Sequence, residues 1–418
     1  MPPAAPALPR RLHAAGHFAR TLSWSFTDLA LGYYLHARLG LPAAQTGQLL
    51  FVSLAYSAVL DLLLAALFTA VRDQRRTALR LQLAGGAGTA ASACLLFHPA
   101  LASGGEERLA WLLAASLLFR TCYAVFDVAQ NALTSLLPAD DADAERYVTN
   151  RARVVPASKL CIAAALFAVV GDAGPAQAGN EWRISLAIGA LVLLAAVPLA
   201  CWRAPPLAMA RAHGRSVALP MAALGPVLVA IAAETALTGL AGRVFPFIAN
   251  GAALTFAMVA GMVLAPWITT GMQRSLGSEL RTIIVQTVAG WGCVGLLLAQ
   301  PPAALAITCA AGYGVCLAGV GLILWRRTAL IARHHAARTG RHDDLTCFAL
   351  LTGTMKLSIA LSSLLLGQVL AAAEARHAGA LDTVLLLTIS GGMLSIAALA
   401  LDARRGQARA PWLPGGRP

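Results

Sequence analysis

Charge is scarce in this chain: only 12% of its 418 residues are Asp, Glu, Lys or Arg, against 58% hydrophobic residues and a mean hydropathy of +0.69. That balance excludes a soluble globular protein of this length. Long polar segments are missing too. The longest pieces between apolar runs are about 138–153, 203–217 and 326–344, which leaves no room for a soluble catalytic domain on either side of a membrane. The eight cysteines form no CxxC pair and no Cys/His cluster, so neither disulfides, a metal site nor a cofactor is expected. Acidic residues are outnumbered, giving a formal charge of +13. In a soluble protein this would suggest nucleic acid, but here the basic residues fall in alternate short connections between apolar runs and report topology. No nucleic-acid partner is expected. Lysine is the rarest base: Lys159 and Lys356 are alone among 32 Lys and Arg.

What is there is a succession of apolar runs. Hydropathy places twelve spans at about 17–37, 45–70, 79–98, 109–137, 154–172, 184–202, 218–242, 247–272, 281–299, 303–325, 345–373 and 381–402. The predicted fold class is an all-α polytopic membrane protein of twelve transmembrane helices in two six-helix halves. Arg10 and Arg11, Arg75 and Arg76, Arg151 and Arg153, Arg326 and Arg327, and Arg404 and Arg405 all lie on one side of this scheme. The positive-inside bias then makes both termini cytoplasmic in a multi-pass inner-membrane protein surrounded by lipid. The expected organisation is a disordered tail over 1–16, a first half over 17–202, a connector over 203–217, a second half over 218–402 and a tail over 403–418. The first residues have arginines but no small-residue cleavage site, so they read as an uncleaved tail. Both halves carry a basic turn between their second and third spans, VRDQRRTALR and MQRSLGSELR. Two similar halves are the usual build of a secondary transporter with its site between them near the midplane. A monomer is expected.

The eleventh span, Thr346 to Ala373, has Lys356 stranded about 16 Å from its nearer end. A charge at that depth costs at least ~2.5–3.5 kcal/mol and is normally kept where it faces a partner or a wet cavity. A structural pair holding two helices together is the alternative to a functional role. Four acids lie in other spans: Asp28 in the first, Asp61 in the second, Asp127 in the fourth and Glu234 in the seventh. Set against Arg120 and Lys356, they would leave two negative charges uncompensated, a vacancy for protons or another cation. In the fourth span Arg120, Tyr123, Asp127, Asn131 and Thr134 recur at spacings of three or four and share one helical face. In the first span Thr21, Trp24 and Asp28 share a face, and in the eleventh Thr352, Lys356 and Ser363 share one with Gly367, whose missing side chain would admit a neighbouring helix. Arg20 is expected to snorkel to the cytoplasmic interface. Glu234 is either a protonated packing residue or a coupling residue. The run Pro138 to Arg146, PADDADAER, reads as a solvated acidic turn.

Three stretches, YYLHARLGLPAAQTGQLLFVSLAYSAVLD (33–61), CYAVFDVAQNALTSLLP (122–138) and ARTGRHDDLTCFALLTGTMKLSIA (337–360), resemble the glycoside-pentoside-hexuronide:cation symporters, the melibiose-carrier branch of the major facilitator superfamily. The resemblance implies a cation site at the acids of the second and fourth helices, here Asp61 and Asp127, a lysine in the eleventh, here Lys356, and sugar contacts from the first and fourth. Ser57 stands where the family's sodium carriers tend to have a second acid, and Ala124 where they offer a hydroxyl. Losing those oxygens shifts the expected coupling ion from sodium toward the proton.

The reading is therefore a non-enzymatic, cation-coupled symporter of a small polar solute, such as a sugar or glycoside, working by alternating access. Asp61, Asp127, Lys356 and Ser57 are the coupling candidates. Asp28, Trp24, Arg120, Tyr123, Asn131 and Thr352 are the candidates for solute contact. The rivals are a proton-coupled exporter of a drug or metabolite with Glu234 titrating, and a polytopic membrane enzyme or lipid-handling protein.

Overall fold

The computed structural model describes residues 7–69, 71, 73–100, 107–138, 141–170, 179–202, 219–247, 250–339, 344–374 and 380–409. Among these the regular structure is helical throughout, as a bilayer demands of a chain whose backbone groups must find partners within the same segment. Twelve long helices follow one another: α1 (Ala7–Tyr33), α2 (Ala43–Thr69), α3 (Gln74–Leu96), α4 (Arg108–Leu136), α5 (Asp141–Val170), α6 (Asn180–Cys201), α7 (Met221–Phe247), α8 (Gly251–Leu276), α9 (Glu279–Leu298), α10 (Ala303–Thr339), α11 (Asp344–Glu374) and α12 (Ala380–Arg409). Nine of them are long and apolar enough to cross a membrane by length and composition. The other three, α1, α3 and α5, carry more polar side chains, and α1 and α3 bury many of them, such as His17, Thr27, Gln82 and Thr89.

Local signals set several ends. The carboxylate of Asp73 accepts the Arg76 amide at 3.0 Å to start α3, and Gly277, at φ 63°, stops α8 in the left-handed conformation that glycine tolerates. Two helices are locally unwound: α1 ends in a π-helical turn over Tyr34–Arg38, and α7 contains one over Glu234–Thr238.

The two halves meet chiefly where α2 lies along α11 and α5 lies along α8. Glycine makes the first contact close. A Cβ on Gly367 would sit 2.8 Å from the Ala43 carbonyl oxygen and 3.0 Å from the Gly47 Cα, and one on Gly47 would meet the Ser363 carbonyl oxygen at 2.9 Å. The approach expected at Gly367 is thus with α2. The halves are also tied at both ends. Asp28 on α1 pairs with Arg243 on α7 at 3.0 Å near one end, while at the other the Arg151 guanidinium on α5 lies 4.6 Å from the Trp325 ring centre on α10.

Several expected boundaries move outward. Residues 7–16, expected to be disordered, form the first turns of α1, because Pro9, His13 and Gly16 continue its buried face and Gln130 donates to the His13 carbonyl at 3.0 Å. The acidic turn is instead the N-terminal part of α5. There Asp143 is buried and pairs with Arg10 at 3.5 Å, and acids favour a helix N-terminus. Likewise α10 continues from 325 to Thr339, and α12 from 402 to Arg409. The expected connector, 203–217, lies outside the described residues, as does the tail beyond 409.

Candidate functional site

The polar stripe of α4 faces inward. Arg120, Tyr123 and Asp127 are 1%, 2% and 3% exposed, and Asn131 and Thr134 are part-buried. One turn along from Asp127, the Asn131 amide donates to Asp127 Oδ1 at 3.0 Å, as i, i+4 spacing allows. Arg20, from α1, donates to the same oxygen. The other oxygen, Oδ2, lies 3.3 Å from Lys356 Nζ, which reaches in from α11, and Lys356 in turn stands 2.5 Å from Asp61 Oδ2 on α2. Two carboxylates and two cations thus form one buried chain, Asp61, Lys356, Asp127 and Arg20. Its members come from α1, α2 and α4 in the first half and from α11 in the second. Trp24 and Tyr123 wall it, with Lys356 Nζ 5.4 Å from each ring centre and the two rings 5.2 Å apart. Such contacts favour a cation over the ring face.

The remaining candidates are less tightly gathered. Ser57, one turn before Asp61, is fully buried, and its hydroxyl has no hydrogen-bond partner among the described residues. Thr352, one turn before Lys356, donates to its own helix at the Ala349 carbonyl, 3.3 Å away. Asp28 is engaged by Arg243. Glu234 stands apart from the chain of charges, buried at the start of the π-helical turn of α7, with Oε2 lacking a hydrogen-bond partner among the described residues. Arg120 makes no ion pair with Asp28 or Asp127. Its guanidinium instead lies 5.0 Å from the Trp24 ring centre and 5.6 Å from that of Phe119.

A family model described as "MFS/sugar transport protein" matches residues 12–212. Solved structures extend the likeness over the rest of the chain. The nucleoside transporter NupG is 12% identical, with 94% of this chain and 98% of that one covered at a TM-score of 0.61. A D-xylose-proton symporter is 12% identical, with 93% and 96% covered at 0.65. A bacterial homolog to the human lysosomal transporter Spinster, inward-facing and unoccupied, is 12% identical, with 98% and 99% covered at 0.61. The first half of the chain thus matches a major-facilitator sugar-transport family, and the fold over the whole chain is that of these transporters. None of the curated proteins matches it.

Two functional candidates escaped the sequence reading, and each corrects an expectation. Arg20 does not snorkel to an interface; it is 8% exposed and bonded to Asp127. Starting the helix at 17 put Arg20 in its first turn, whereas α1 is already helical at Ala7, 13 residues before Arg20 and about 20 Å back along the axis. The available signal was its spacing of four from Trp24, continuing the face that holds Asp28. Arg243 falls just outside the seventh span as hydropathy bounds it, at 242, but α7 runs on to Phe247 and delivers it to Asp28. With these two added, the four acids Asp28, Asp61, Asp127 and Glu234 are matched in number by Arg20, Arg120, Arg243 and Lys356. The expected deficit of two positive charges does not exist.

Proposed function

We propose that this protein is a proton-coupled symporter that takes up a small polar solute across the cytoplasmic membrane by alternating access, with both termini inside. The observation that carries the proposal is Lys356. It belongs to the second half and bridges two acids of the first at 2.5 and 3.3 Å, so a change in their protonation acts directly on the contact between halves. Protonating Asp61 or Asp127 removes one counter-charge from a buried cation, a state that costs several kcal/mol unless something else compensates. Solute bound beside the cluster supplies that compensation, so proton and solute cross together.

The proton is favoured over sodium by what surrounds the acids. Both Asp127 oxygens already face Arg20, Asn131 or Lys356, and the resemblance to the family's sodium carriers implies that Ser57 stands in place of an acid and Ala124 in place of a hydroxyl. The matched family description names sugar transport and one structural neighbour is a proton symporter, which supports the reading without fixing the solute. Trp24, Tyr123, Asn131 and Arg120 are the proposed solute contacts. Asp28, engaged by Arg243, serves the tie between the halves.

The test is uptake into right-side-out vesicles under an imposed pH or sodium gradient. A proton symporter accumulates its solute on the pH gradient, and sodium at constant pH changes solute affinity less than about two-fold. Movement in the opposite direction would favour the exporter. Absence of any gradient-driven movement would favour an enzyme or lipid-handling protein.

A further inference from the structure

Arg120 is a buried cation that the coupling scheme does not use. It is 1% exposed, and its Nε and Nη1 atoms are buried with no hydrogen-bond partner among the described residues. The nearby charged and titratable groups are Asp28, Tyr123, Arg243 and Asp61. None is available as a full partner: Asp61 is paired with Lys356 and Asp28 with Arg243, and Tyr123 stacks toward Phe119 with ring centres 5.9 Å apart. Lys159 on α5 has the same Asp28 and Arg243 as its charged neighbours, so the field at this end of the cluster is positive. An uncompensated guanidinium held in the interior of a membrane protein is expensive. Trp24 and Phe119 offset part of that cost by offering their ring faces, but they leave the Nε and Nη1 groups without a hydrogen-bond partner among the described residues.

We infer that Arg120 and Trp24 form a binding site for an anionic group, and that the solute is a small organic acid carrying a carboxylate or a comparable monoanion. A guanidinium presents planar, forked N–H donors that match a carboxylate, and it keeps its charge at any physiological pH. The indole beside it offers a flat face to the body of the solute. This inference rests on the symport reading and sharpens it. The Asp61, Lys356, Asp127 and Arg20 chain carries two negative and two positive charges. Loading one proton there and one monoanion at Arg120 leaves the buried charge of the site unchanged, whereas either ligand alone alters it by one unit. The two are therefore tied by electrostatics, and with one proton per monoanion the cycle moves no net charge.

The test uses the purified full chain and matched probes: benzoate against benzamide, nicotinate against nicotinamide, and glucuronate against glucose. At least one acid should raise the thermal midpoint of the wild type more than its neutral partner. Its affinity should fall about 30-fold or more in Arg120→Gln, the range set by truncating a buried charge pair, and by less in Arg120→Lys. Unliganded Arg120→Gln should melt no lower than the wild type, since it removes an unpaired buried charge. If no acid outperforms its neutral partner, or Arg120→Gln binds the acid as well as the wild type does, the anion site is refuted. The wild-type comparison decides this even if a variant does not fold. Reconstituted vesicles separate the two readings. An acid that binds through Arg120 but is never accumulated leaves the site standing and refutes symport. A neutral solute accumulated equally well by Arg120→Gln refutes the site and leaves symport standing.

Discussion

Asp127→Asn should reduce proton-driven accumulation at least about 100-fold, to the level of vesicles without the protein, while solute exchange at equilibrium continues. Asparagine keeps the shape of the side chain and one acceptor oxygen, so Arg20 and Asn131 retain a partner. What it loses is the ability to titrate and the negative charge that Arg20 and Lys356 share. Exchange needs the site to load and to isomerise with solute bound, neither of which requires proton release at Asp127. Net accumulation requires that release. The loss of one anion beside two buried cations should also lower thermal stability, by up to about 3–5 kcal/mol for a broken buried pair. Melting of the purified variant, read beside its exchange rate, separates loss of coupling from loss of fold. Full accumulation by Asp127→Asn would remove this carboxylate from the mechanism.

Lys356→Arg should fail almost as completely, with accumulation down about 50-fold or more, although the charge is conserved. The ammonium sits as a point between Asp61 and Asp127 and in front of the Trp24 and Tyr123 rings. It can turn its three donors toward whichever carboxylate is ionised. A guanidinium is longer, planar and forked, and would hold both carboxylates in one fixed geometry. The Gly47 and Gly367 contact brings α2 and α11 close, with little room to retreat. The variant should bind solute yet isomerise slowly, giving normal equilibrium binding with slowed exchange. Wild-type accumulation by Lys356→Arg would show that only the charge matters at this position.

Much of this arrangement was legible in the sequence because a bilayer makes composition so informative. The apolar runs gave twelve helices in order, and the 3.6-residue period gave the inward stripe of α4 with Tyr123, Asp127 and Asn131. The position of Lys356 deep in an apolar helix announced a partner. The resemblance pointed to Asp61 and Asp127 as that partner; periodicity alone could not, since Asp127 is 229 positions away in the chain. The same holds for Asp28 and Arg243, 215 positions apart. The errors came from helix ends, where hydropathy is weakest. Setting α1 to begin at 17 and α7 to stop at 242 displaced Arg20 and Arg243 from the interior. With them went the charge balance, and so the first argument for a cationic guest. A buried charge without an ion pair remains among the described residues, but it is positive: the guanidinium of Arg120.

The most direct test of the account is the proton movement that accompanies uptake. In a lightly buffered suspension of reconstituted vesicles, adding the solute that the wild type accumulates should make the external medium more alkaline, at the rate at which solute enters. Asp127→Asn should abolish that change. Solute accumulating in the wild type while the external pH stays flat would contradict the claim that Asp61, Lys356 and Asp127 couple protons to transport.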